Sequence, residues 1–164
     1  DRRDFRKRDG RLQWHNNRLV HGQVATQWCG AIGANLILVA NDEVAGNSLR
    51  QGLMNMAAPS YAAMRYWTIQ KTIDTIHKAS AKQLIFIVCE NPQDVVKLVE
   101  GGVPIKKVNI GNMHMADGKR QVAGSVAVDD SDVAAFKRLQ ELGVELEIRR
   151  VPTEHAESTD KLFK

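Results

Sequence analysis

Two continuous apolar runs, at 36–40 and 84–89, stand out from a chain that otherwise mixes apolar and polar positions. Such runs suit strands covered on both faces, as in a parallel sheet. Around them, apolar positions recur at helical spacing. Val24, Trp28 and Ile32 lie four apart and predict a helix after residue 21. Val44, Leu49, Leu53 and Met56 predict another over 43–57, with Met54 and Met56 as core fillers and Pro59 as its end. Residues 64–69 read as a strand, and 72–79 as a helix with Ile73 and Ile76 inward. Asn91 and Pro92 supply a cap and a first-turn proline for the next helix. Its apolar side is Val95, Val96, Leu98 and Val99, and Gly101-Gly102 ends it. Short strands follow at 108–110 and 126–128. Asp130 or Ser131 caps a helix carrying Val133, Phe136, Leu139 and Leu142, stopped at Gly143. Val144, Leu146 and Ile148 alternate with charged residues, which predicts a strand with one wet face near an edge. Residues 153–164 read as a polar tail ending in a short helix.

Strands alternating with helices predict an α/β fold. The expected architecture is an open, largely parallel twisted sheet with helices on both faces and an antiparallel edge strand. No repeat period and no Gly/Ser/Pro linker divides the chain. Residues 1–13 are expected to be a polar, basic N-terminal segment and 14–164 a single domain. Residues 1–15 show neither an apolar run nor clean alternation. Either a weak strand forms around 12–15, or the first strand is damaged or replaced.

Composition narrows the function classes. A chain of 164 residues suffices for one domain with a proper core. Its apolar runs are far short of the ~20 residues that span a bilayer, and no apolar stretch follows the charged start as in a signal peptide. Cys29 and Cys89 lie in apolar surroundings and read as buried thiols in a reducing compartment. Neither has a partner at metal-ligand spacing, and the five histidines contain no HxxxH or HExxH pair, so no metal is expected. The net charge of +4 invites a nucleic-acid reading. However, residues 1–20 hold seven Lys/Arg and three Asp/Glu, so the whole excess sits there and the remaining chain is neutral. A nucleic-acid domain carries its basic stripe on the folded body. The N-terminal charge reads instead as a solvated arm or leader, and no nucleic-acid partner is expected.

The chemistry gathers around 18–24. His21 falls where the chain enters the first predicted helix, and Gly22 leaves room beside it. The first amides of a helix lack intrahelical partners and carry partial positive charge, which makes an anion site. With Arg18 three residues earlier, this suits an imidazole that carries a phosphoryl group. Against that stands the plain alternative of a solvated or capping histidine. Active groups in open α/β sheets lie at the carboxyl ends of strands. His21, Asn41, Asp42 and the 111–114 loop with Asn112 and His114 all fall at such ends. Asn41 and Asp42 also read as helix caps, His77 as structural, and His114 as a contact to phosphate or partner or as a structural residue. No GxGxxG or GxxxxGK[ST] is present, so dinucleotide and nucleoside triphosphate cradles are missing.

The run NRLVHGQV (17–24) followed by Trp28 resembles the IIB subunits of the mannose/fructose/sorbose-type bacterial sugar phosphotransferase system. GANLILVANDEVA (33–45), WTIQKTID (67–74), GGVPIKKVNIGNMH (101–114) and GVELEIRRVPTE (143–154) extend the likeness in order over about residues 16–164. NDEVA, GNMH and VPTE look most like N-acetylgalactosamine or galactosamine members. The resemblance implies a cytoplasmic phosphocarrier, a protein-N(π)-phosphohistidine–sugar phosphotransferase. His21 takes a phosphoryl group through Nδ1 from a phosphohistidine of the IIA protein or domain. It passes the group to a hexose or hexosamine held by the membrane IIC/IID subunits, which also keep the protein at the inner membrane face. Arg18 and the amides of Gly22 and Gln23 hold phosphate, with Asn16 beside them, and no cofactor is needed. Asn16 is a departure, because the family has aspartate there and an amide supplies no negative charge. The alternative is a non-catalytic α/β binding or regulatory module with an anion pocket.

Overall fold

The computed structural model describes residues 22–78, 84–111, 113–149 and 152–163. The 1–15 segment, Asn16, Arg18, His21 and Asn112 lie outside the described residues, so the expectation of a first strand does too. Helix α1 (Gly22–Ile32) leads through a short turn into β1 (Leu36–Ala40). Then come α2 (Asp42–Ala45), α3 (Ser48–Ala57), β2 (Ala63–Trp67) and α4 (Ile69–Thr75). A 3-10 turn, Ile76–Lys78, closes α4. Next are β3 (Ile85–Val88), α5 (Pro92–Glu100), β4 (Lys107–Ile110), β5 (Arg120–Ala123) and β6 (Val126–Val128). The last elements are α6 (Asp130–Glu141), β7 (Glu145–Ile148) and a 3-10 turn at Asp160–Phe163.

Both long apolar runs become strands, and β1 is buried along its whole length. It pairs in parallel with β2 on one side, Leu38 opposite Arg65, and with β3 on the other, Leu38 opposite Ile87. Side chains alternate across a strand, so β1 feeds two cores. Ile37 and Val39 join Phe86, Val88, Trp28, Cys29, Val44 and Met54 on the face covered by α1, α2 and α3. Leu36, Leu38 and Ala40 join Ile85, Ile87, Ile69, Val95 and Leu98 on the other face. That second core continues through Val108 and Ile110 of β4 to Phe136 and Leu139 of α6. β4 and β7 pair in parallel, so the alternating 144–148 segment is a strand. The antiparallel component is the β5–β6 pair and a bridge from Ile148 to Glu157 alongside β7.

Several expectations are corrected. The 43–57 stretch is two helices, because Asn47 accepts the Arg50 amide and starts a new one. This break re-phases the apolar pattern. Leu49, Leu53 and Met56 are exposed to 74%, 60% and 85%, while Met54 is the residue turned inward at 6%. Met56 is therefore no core filler. The helix expected at 72–79 begins at Ile69, because Thr68 caps it by accepting the Lys71 amide. The cap of α6 is Asp129, which forms a reciprocal capping box with Asp132. β7 has only Glu145 in water. Glu147 is 9% exposed, with Lys107 Nζ 2.7 Å from its Oε2 and Arg149 Nε 2.9 Å from its Oε1, the latter a charge contact without hydrogen-bond geometry.

Candidate active site at the carboxyl edge of the sheet

Helix α1 runs back along β1. Its last turn joins β1 within three residues, and the Ala34 amide still donates to the Cys29 carbonyl at 2.9 Å. Eleven helical residues span about 16 Å and five strand residues about 17 Å, so the two elements are matched in length. Trp28 and Cys29 press α1 onto Ile37, Val39, Phe86 and Val88. The amino end of α1, beginning at Gly22, therefore lies toward the carboxyl edge of the β2–β1–β3 sheet. The first turn of α1 contains no acidic side chain. The leading amides of Gly22 and Gln23 have no intrahelical acceptor, and no carboxylate of that turn offsets their field.

Asn41 ends β1 at this edge and is buried. Its Oδ1 accepts the Val44 amide at 2.9 Å, and its Nδ2 donates to Glu90 Oε2 at 2.9 Å. The Asn41 amide donates to the Trp67 carbonyl at 3.0 Å. Asp42 Oδ1 accepts the Ile69 amide at 2.8 Å. One dipeptide thus ties the ends of β1, β2 and β3 together. Both side chains work as caps and cross-links, the structural half of what the sequence offered for them. Glu90 is the residue sequence reasoning did not single out. The rule that chemistry gathers at carboxyl ends of strands applies to it equally, since it follows the 84–89 run.

This edge is acidic. Asp94, in the first turn of α5, has its carboxyl pushed up, chiefly by burial. Lys97 pulls it down, while the charges of Asp42 and Glu90 raise it further. Burial pushes the Cys29 thiol up to about 12 and the Cys89 thiol well above its ordinary value, so both are inert protonated thiols. Neither cysteine forms a disulfide.

His114 follows the carboxyl end of β4 and is exposed. Its neighbour Met113 anchors the loop, donating to the Ser125 carbonyl at 2.9 Å and accepting the Ala127 amide at 2.8 Å. Among the described residues no hydrogen bond or ion pair joins His114 to Asn41, Asp42 or Glu90. Further along this loop, Lys119 Nζ reaches Asp132 Oδ2 at 3.0 Å, and Gln93 Nε2 donates to Asp132 Oδ1 at 3.0 Å. The starts of α5 and α6 are thereby fixed side by side. No metal-holding cluster occurs among the described residues, and no described helix is long and apolar enough to cross a membrane.

A family model described as the PTS system sorbose subfamily IIB component matches residues 11–164. The N-acetylgalactosamine-specific phosphotransferase enzyme IIB component 2 of Escherichia coli is 52% identical over 148 residues, covering 90% of this chain and 94% of that protein. The crystal structure of the N-acetylgalactosamine-specific IIB component 1 from Escherichia coli superposes with a TM-score of 0.86 at 45% identity, over 90% of this chain and 97% of that one. The IIB domain of the sorbose permease from Klebsiella pneumoniae gives 0.86 at 33% identity, over 92% and 94%.

Proposed function

The chain belongs to the sorbose-type IIB family of the sugar phosphotransferase system, and from that membership we propose that His21 is its phosphoryl-carrying residue. The family places the chain among the phosphocarriers of sugar uptake. The observation that carries the assignment to His21 is the start of α1 at Gly22, the very next residue, toward the carboxyl edge of the sheet.

In this reading the phosphodonor is a phosphohistidine of the IIA protein. A neutral imidazole nitrogen of His21 attacks phosphorus. The N–P bond of the donor breaks, and the donor imidazole leaves with the electron pair. In the second half-reaction a hydroxyl of the sugar attacks, the His21 N–P bond breaks, and the hydroxyl proton passes to a base or water. Both steps demand in-line positioning and stabilisation of charge on the phosphoryl oxygens. Arg18 supplies a planar fork for two of those oxygens, the amides of Gly22 and Gln23 supply donors, and Asn16 adds an uncharged one. The acceptor sugar is an N-acetylgalactosamine-type hexosamine, presented by membrane IIC/IID subunits at the cytoplasmic face. The reaction class is protein-N(π)-phosphohistidine–sugar phosphotransferase, carried by a domain that starts near residue 14.

The test is incubation with the phosphoenolpyruvate-driven donor chain and IIA, followed by mass mapping. An acid-labile phosphoryl group on His21, absent in His21→Ala, is the expected result. Equal labelling of His21→Ala removes the assignment. Phosphate that binds but leaves no covalent mass points to an anion-binding module instead.

A further inference from the structure

A cavity of about 140 Å³ opens on the α4 face of the sheet. Its floor is core: Leu36 and Leu38 of β1, Ile85 of β3 and Ile76 of the 3-10 turn. Trp67 and Thr75 form its walls, and Arg65 and Lys78 stand at its rim. The cavity lies where the 3-10 turn Ile76–Lys78 follows α4, with Thr75, Ile76 and Lys78 in its lining. Its floor is set back from the carboxyl edge, which the cavity meets at Trp67, the last residue of β2. Leu38 precedes Asn41 by three residues, about 10 Å of strand.

The charges around this hollow are one-sided. Arg65 and Lys78 are exposed, and neither has an acidic partner among the described residues. Arg65 spends one donor on the Met64 carbonyl at 2.8 Å, which leaves most of its guanidinium fork open. Lys71 adds a third cation, 5.3 Å from the centroid of the Trp67 ring. Asp74, the acid nearest in sequence, accepts from Gln70 at 2.9 Å and pairs with no cation among the described residues. An apolar floor with an indole wall takes a flat hydrocarbon body, and about 150 Å³ of such space accommodates a benzene ring. Two unpaired cations at the mouth then select one negative group at the end of that body.

We propose that the Leu36–Leu38–Trp67–Ile85 cavity is a binding site for a small planar organic anion, an aromatic or similarly flat carboxylate whose charge rests between Arg65 and Lys78. The site does not depend on the His21 assignment.

Methyl NMR of the full chain decides it, with benzoate as the probe and benzamide as its uncharged isostere. Benzoate should shift the methyls of Leu36, Leu38, Ile76 and Ile85 saturably. Benzamide should bind at least about tenfold more weakly, as should benzoate to the Arg65→Gln/Lys78→Gln double variant. Both substituted side chains are exposed, so the variant should fold, and an unchanged melting temperature checks that it does. Phosphoryl uptake by the variant should equal that of the parent chain. Absent shifts, shifts confined to other methyls, or equal affinity for benzoate and benzamide would each overturn the proposal.

Discussion

Arg18 and Asn16 carry the sharpest residue-level expectations. If Arg18 holds the phosphate as proposed, Arg18→Lys keeps the charge but loses a fork able to grip two oxygens, so transfer should slow by about 1–3 kcal/mol of transition-state stabilisation. Timing uptake from IIA and discharge to sugar separately checks this, and unchanged rates in both would place Arg18 off the phosphate. Asn16→Asp restores a carboxylate just ahead of Arg18. A carboxylate favours the imidazolium, so the His21 pKa should rise. Discharge should gain more than uptake, because a carboxylate favours protonation of the phosphorylated ring, which then departs as a neutral imidazole. NMR titration of His21, with both half-reactions timed, is the measurement. A third expectation concerns Asp94, whose raised carboxyl makes its charge a cost to the fold. Its stabilising share is complete below the ordinary aspartate range and is lost as pH rises through the raised value. Asp94→Asn should therefore raise stability at neutral pH in a denaturant melt and leave it nearly unchanged in acid. At this scale the sequence was readable where one residue had one job. Asn91 was legible as a cap, with its Oδ1 2.8 Å from the Asp94 amide. The Asn41–Glu90 bond was not, because it joins residues 49 apart that only the sheet brings together.

Among the elements, α5 and α6 show how helix ends are fixed. Two glycines follow α5, and they do different work. Gly102 has φ 97°, the left-handed turn that frees the chain from the helix. Gly101 has an ordinary φ of −77° and is needed for space. A Cβ there would lie 2.6 Å from Ile73 Cδ1 and 2.9 Å from Ile73 Cγ2. Gly101→Ala should cost about 1–3 kcal/mol by overpacking α5 against α4. Adding Ile73→Val should recover part of that loss, and a double-mutant cycle would read the coupling. At the start of α6, burial pushes the Asp132 carboxyl up, but hydrogen bonds from Gln93, Lys119 and the Asp129 amide outweigh it and hold it low. A depressed carboxyl stabilises above the ordinary aspartate range and stops doing so as pH falls through the folded value. Asp132→Asn should thus flatten the loss of stability on acidification, and Asp132→Ala should cost about 1–3 kcal/mol at neutral pH. Strands with continuous apolar runs were legible because both faces are buried. β5 was not, since only Val122 of Arg120–Ala123 is buried and its pairing partner supplies the signal. The α3 pattern misled for a different reason. A periodicity count cannot register a cap such as Asn47, which resets the phase.

For the molecule as a whole, parallel order places the helix start at Gly22 and the strand ends at Asn41 and Glu90 along one side of the sheet. The alternation of apolar strands and amphipathic helices made that architecture readable in outline. It could not show that β2 would, among the described residues, pair on one side only, or that a hollow would lie between the sheet and the end of α4. β1 occupies the opposite situation, between two neighbours and under two cores. Each of its amides points to one neighbour or the other, whereas a border strand leaves every second amide toward water. That difference becomes a clock in deuterated solvent. Fluctuations that peel β2 or the β5–β6 pair expose their hydrogens without disturbing the middle of the sheet. The protons of residues 36–40 should exchange only when the whole molecule opens, and those of 120–123 orders of magnitude sooner.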